Sequence, residues 1–222
     1  MRSLVASALS LTLLTATPAK ACDLALVLAV DISGSVDHIE YAIQMQGLAN
    51  GLRDGIVSEA LVRANAWVTV VQWSGTSRQT VAVGWTAVND FEAVEAFANA
   101  VEHAPRAWRD YSTAVGEALR FSATQFDNGP ICKRRVIDVS GDGRSNEGTP
   151  PLDVHPELRK AEITVNALVI EGAEEDLTAY FWENVIMGDG AFVVTANGFN
   201  EYPERMQRKL IRETTEQVSS ID

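Results

Sequence analysis

Three loops of this sequence carry the side chains with the most chemistry to offer. Asp31, Ser33 and Ser35 follow a hydrophobic run in the spacing D-x-S-x-S. Thr113 stands in Tyr111-Ser112-Thr113-Ala114-Val115-Gly116-Glu117, where helical periodicity begins. Asp142 stands in Val139-Ser140-Gly141-Asp142-Gly143, straight after another apolar run. All five are hard oxygen donors, which suit Mg²⁺ or Mn²⁺ rather than zinc. Mg²⁺ keeps several waters and takes only one or two carboxylates. Two aspartates and three hydroxyls, some acting through water, would therefore hold it and leave a coordination position for a ligand oxygen. Taken alone, Asp31, Ser33 and Ser35 could equally be turn and cap residues. The argument for a site is that three separate loops would meet at one end of a sheet.

The elements that must position these loops are legible as alternation. Leu24 to Val30 is a continuous apolar run, the habit of a central parallel strand buried on both faces. Asp37, with Glu40 three residues on, can box the start of a helix whose apolar residues run from Tyr41 to Ile56. Trp67–Trp73 and Arg78–Trp85 read as a hairpin about Ser74-Gly75-Thr76-Ser77. Phe91 to Val101 is helical, and a further helix begins near Thr113. Val136–Ser140 is a strand, and Arg144–Pro156, with three prolines, is a loop leading into a short helix. Ile163–Ile170 is a strand, Leu177–Ile186 a helix, Ala191–Thr195 a last strand and Tyr202–Thr214 a charged amphipathic helix. Strands alternating with helices after one hairpin predict an α/β domain: doubly wound, mostly parallel, with one antiparallel edge strand and helices on both faces. In such sheets the crevice lies at the carboxyl ends of the strands, where all three loops fall.

The chain has 222 residues, 46% hydrophobic and 22% charged, with a formal net charge of −12. That is one domain of ordinary globular composition. The acidic balance argues against nucleic acid and against anionic lipid as partners. Arg2, the apolar stretch Leu4–Thr17, Pro18 and Ala19-Lys20-Ala21 have the pattern of a secretory signal peptide over residues 1–21, leaving a single domain from residue 22 to 222. The alternative is a buried N-terminal helix. No other apolar run reaches membrane length, so export to the periplasm or the extracellular space is expected. Cys22 would then be the new N-terminus, either lipidated or paired with Cys132, the other cysteine.

Other chemistries fit less well. G-x-G-x-x-G is incomplete after Gly141, and neither a P-loop nor a G-x-S-x-G elbow occurs. His38, His103 and His155 have no zinc-like spacing. Trp67, Trp73, Trp85 and Trp182 suit core or edge packing, whereas Trp108, just before the Thr113 loop, could border a ligand. The alternative function is an Mg²⁺-dependent phosphohydrolase of haloacid-dehalogenase-like type with Asp31 as nucleophile. Those enzymes carry D-x-D, and the second position here is Ser33.

With these motifs assembled, the chain resembles the von Willebrand factor A (vWA) family and its metal-ion-dependent adhesion site, the MIDAS. It is most similar to an exported bacterial, DUF1194-like subgroup marked by Val136-Ile137-Asp138-Val139-Ser140-Gly141-Asp142-Gly143. The resemblance spans nearly all of the chain after residue 21. It implies that Asp31, Ser33, Ser35, Thr113 and Asp142 hold Mg²⁺ or Mn²⁺, and that the domain is no enzyme but binds a protein partner through an Asp or Glu carboxylate. It also makes the first and fourth strands neighbours, which would bring Cys22 to Cys132 as a disulfide. Two departures from the family pattern stand out: Gly141 replaces the usual Thr or Ser before the last Asp, and Arg109-Asp110-Tyr111-Ser112 lacks the usual glycines. Asp138 lies inside a strand expected to be buried. Arg134, Arg135 or a loop backbone is expected to compensate it, since a buried charge must be satisfied. The closing helix is expected to be fixed rather than mobile.

Overall fold

The computed structural model describes residues 22–215 apart from 173 and 175, so the segment read as a signal peptide lies outside the described residues. The element order is β1 (Cys22–Asp31), α1 (His38–Arg53), α2 (Gly55–Arg63), β2 (Ala66–Trp73), β3 (Gln79–Val88), α3 (Phe91–Glu102), α4 (Val115–Thr124), β4 (Cys132–Gly141), α5 (Pro151–Lys160), β5 (Ile163–Ile170), α6 (Leu177–Asn184), β6 (Val193–Ala196) and α7 (Tyr202–Thr215). The strands form one sheet in the order β3-β2-β1-β4-β5-β6. Among the described strands only the edge strand β3 runs antiparallel, as the hairpin predicts.

Alternation within β1 explains the layers. Leu24, Leu26, Leu28 and Val30 pack with α1, α2, α3 and α7 on one face. Val27 and Ala29 pack with α4, α5 and α6 on the other. A strand covered on both faces needs apolar residues at every position, which is why β1 reads as a continuous run. The capping box forms as expected: Asp37 accepts from the Ile39 and Glu40 N–H groups, and Glu40 accepts from the Asp37 N–H.

Two helices depart from the sequence reading. The helix expected to reach Ile56 breaks at Asp54, whose carboxylate caps a second helix by accepting from Ile56 and Val57. A short polar side chain competes well for backbone N–H groups at such a point. The proline-rich segment is not all loop: α5 begins at Pro151, where a missing N–H costs nothing, and carries Pro156 inside it. Trp182 also departs from expectation, since it is 60% exposed on α6 rather than packed.

Cys22 and Cys132 are register partners on adjacent parallel strands and are joined by a disulfide, which uses the Cys22 sulfur. The bridge lies at the amino ends of β1 and β4, opposite the three loops. With a sequence separation of 110 between the cysteines, the chain-entropy account assigns it roughly 4–5 kcal/mol.

Asp138 is indeed buried, but neither arginine satisfies it. Arg134 donates to the Glu213 carbonyl and Arg135 to the Ala161 carbonyl. Strand geometry explains this. Residue 135 points to the opposite face, and residue 134 lies roughly 13 Å down the strand from 138. The partner is Lys209 of α7, whose Nζ sits 2.5 Å from Asp138 and 2.9 Å from Glu213.

Candidate metal centre

The five donor residues lie together at the carboxyl ends of the parallel strands. Asp31 is the last residue of β1, Ser33 and Ser35 follow it, Thr113 precedes α4 and Asp142 follows β4. Asp31 is fully buried. Its Oδ1 accepts from the Ser33 N–H at 2.7 Å, while Oδ2 is buried with no hydrogen-bond partner. The Ser33 and Ser35 hydroxyls are 3.1 Å apart, and Ser35 donates to Asp142 Oδ1 at 2.6 Å. The Thr113 hydroxyl faces the same loop as Asp142, since a Cβ placed on Gly143 would lie 3.8 Å from it.

The electrostatics are those of acids without a cation beside them. Burial, and then the nearby Asp142 charge, push the Asp31 carboxyl up to about 8. Burial likewise raises Asp142, with Glu40 and Glu174 adding to it. Two carboxyls that resist ionising, one of them with an orphaned buried oxygen, sit beside three hydroxyls. These donors fit a hard divalent cation. A bound cation would supply a local positive charge that reverses this balance.

The glycines at the site have steric reasons. The Gly34 N–H donates to the Tyr111 carbonyl at 2.8 Å, and a Cβ there would approach that oxygen to 3.2 Å. At Gly141, the departure from the family pattern, a Cβ would lie 3.2 Å from Asp31 Oδ2 and 3.4 Å from both Phe181 and Trp73. A larger residue would press on the carboxylate.

Sequence reasoning missed the residues that brace the loops. Arg106 donates from Nη2 to the Ile32 and Ser33 carbonyls, both at 2.9 Å. Asn146 accepts from the Thr113 N–H and donates its own N–H to the Thr113 carbonyl. The Ser74 hydroxyl donates to the Ser112 carbonyl at 3.0 Å, and the Gln44 amide donates to the Asp31 carbonyl at 3.2 Å. Asn146, four residues past Asp142, was within reach of a local reading. Arg106 and Ser74 left no signal in the sequence. Trp108 is half-buried on the segment between α3 and Thr113. Arg106→Met should cost about 1–3 kcal/mol in urea unfolding, because it removes a charged donor from the Ile32 carbonyl and leaves the Ser33 carbonyl only the Val36 N–H. It should also weaken Mg²⁺ binding on titration by roughly tenfold, the usual scale for a supporting residue behind a metal ligand.

Comparison with solved structures shows the fold alone, because identities are low. Proximal thread matrix protein 1 from the mussel byssus, in a structure described as having a zinc-occupied MIDAS motif, is 21% identical with a TM-score of 0.65, over 87% of this chain and 48% of that one. The von Willebrand factor type A protein from Catenulispora acidiphila is 17% identical with a TM-score of 0.58, over 87% and 43%. The conserved hypothetical protein BatB from Bacteroides thetaiotaomicron is 18% identical with a TM-score of 0.51, over 87% and 99%. The chain thus spans about half the length of the mussel protein. No curated protein sequence matches it. The family model described as a protein of unknown function, DUF1194, matches residues 21–218, and the chain, vWA-like in its fold, belongs to that family.

Proposed function

We propose that this protein is a metal-ion-dependent interaction domain. Asp31, Ser33, Ser35, Thr113 and Asp142 hold Mg²⁺ or Mn²⁺, and an Asp or Glu carboxylate of a partner protein takes the remaining coordination position. The observation that carries the reading is Asp31 Oδ2, fully buried without a partner beside a second buried carboxylate and three hydroxyls. The fold shared with the mussel protein whose MIDAS holds zinc supports it. The domain is read as non-enzymatic, because the position where a haloacid-dehalogenase-like phosphatase needs a second acid is Ser33. It is read as one domain over residues 22–222, exported to the periplasm or beyond after loss of residues 1–21. The disulfide suits that setting, and no helix among the described residues is long and apolar enough to cross a membrane.

The test is calorimetric titration with Mg²⁺ and Mn²⁺ beside a phosphatase assay on the same preparation. Saturable binding at millimolar concentration or below, without turnover, is expected. Asp142→Ala should remove the binding, and Ser33→Ala and Thr113→Ala should weaken it. Absence of metal binding would overturn the reading, and metal-dependent turnover would replace it with the enzyme.

A further inference from the structure

We propose that the cleft beside the metal position selects a lysine or arginine of the partner, next to the carboxylate that the metal takes. This rests on the metal-dependent reading above, because cleft and metal position share Ser35 and Asp142. From those residues a cleft of about 460 Å³ runs between the start of α1 and the loops after β5 and β6. That size is within the range of clefts that take small ligands. Ser35 and Asp142, joined by a 2.6 Å hydrogen bond, form the end of the cleft that belongs to the proposed metal site.

The lining sets the chemistry of the occupant. Its charged residues are Asp37, Glu40, Asp142 and Glu171, and among the described residues no Lys, Arg or His lines it. Each carboxylate is held by uncharged donors only. Asp37 and Glu40 take backbone N–H groups, Asp142 takes the Ser35 hydroxyl, and Glu171 takes the Thr178 hydroxyl at 2.5 Å. None of the four is in an ion pair among the described residues. Half-buried Ile43 and Phe199 supply apolar wall. An aliphatic stem laid on apolar surface with its cationic head among carboxylates is how Lys and Arg bury themselves. An apolar occupant would instead desolvate the carboxylates without compensation.

The net charge points the same way. A chain at −12 repels a purely acidic ligand at long range. A ligand with a cation beside its carboxylate is drawn by that field, and its carboxylate is then taken up locally at the metal.

The probes are short synthetic peptides, each with one central Glu followed by Lys, Ala or Glu, measured by fluorescence anisotropy with Mg²⁺ and with EDTA. With Mg²⁺ the Lys peptide should bind about tenfold tighter than the Ala peptide and the Glu peptide weakest, the scale of a few partly exposed ion pairs. In the double variant Glu40→Gln/Glu171→Gln, where glutamine keeps the acceptor roles, the ratio of Lys to Ala peptide should collapse toward one. Thermal melting would verify that the variant is folded. Three peptides binding equally, a Lys preference surviving the double variant, or no peptide binding to metal-loaded protein would each overturn this inference. Those results would leave the metal site standing. Failure to bind Mg²⁺ alone would overturn both.

Discussion

Lys209→Met is expected to cost the fold about 3–5 kcal/mol, the scale for breaking a buried ion pair from one side. Lys209, Asp138 and Glu213 are all essentially inaccessible to water. Glu213 also accepts from the Asn166 amide at 2.7 Å, and the Asn166 carbonyl accepts from the Phe192 N–H, so α7 is tied through β4 and β5 to the loop before β6. Burial raises the Asp138 carboxyl to about 8 against the pull of Lys209. Burial also pushes Glu213 up, but Lys209 and Asn166 outweigh it and hold Glu213 below its usual value. Burial thus works against the Asp138 charge, while Lys209 and Asn166 favour the Glu213 charge. Methionine fills much of the lysine volume, so the loss would come from the stranded Glu213 charge rather than from a cavity.

The pH dependence has a definite sign. Asp138 has a folded pKa above its unfolded value, so its contribution is full below about 4 and is lost as pH rises through about 8. Asp138→Asn should flatten that decline between about pH 5 and 8 in urea unfolding. Replacing Asp138, Lys209 and Glu213 together by apolar residues should recover much of the Lys209→Met loss, since whole buried ion networks often exchange at no cost. A Lys209→Met cost under about 1 kcal/mol would mean that α7 is not held this way.

That network also shows where sequence reading stops. Asp138 was recognisable as a charge inside an apolar strand, but its partner lay 71 positions away on a helix that read only as amphipathic. The strand's parity excluded Arg135 in principle. Arg134 shared the parity, and only three-dimensional distance removed it. The donor residues were legible for the opposite reason. Asp31 and Asp142 each close a hydrophobic run, and an α/β sheet brings the carboxyl ends of its strands to one edge whatever else it does. The pairing of Cys22 with Cys132 needed the family resemblance as well, since that is what made the first and fourth strands neighbours. The braces were not legible, because Arg106 reaches back 74 residues to Ile32 and Ser74 reaches forward 38 to Ser112. The break at Asp54 was hidden because the apolar spacing continues through it to Ile56.

Asp31→Asn is expected to abolish Mg²⁺ binding while leaving the metal-free protein at least as stable as the parent. Asparagine keeps the Oδ1 that accepts from the Ser33 N–H. It removes an acid that burial and Asp142 already disfavour, and whose second oxygen has no hydrogen bond. Two buried acids side by side are a liability to the fold on their own, and a cation bound as proposed would offset it. Affinity for Mg²⁺ should fall by at least about a hundredfold, since a direct ligand should matter no less than the supporting residues behind it. In thermal melts with EDTA the variant should match or exceed the parent. With Mg²⁺ at about a hundred times its dissociation constant the parent alone should gain roughly 2.7 kcal/mol, and the order should reverse. A variant that is destabilised in EDTA would show that Asp31 serves the fold rather than the site. A variant that still gains stability from Mg²⁺ would show that the cation binds elsewhere.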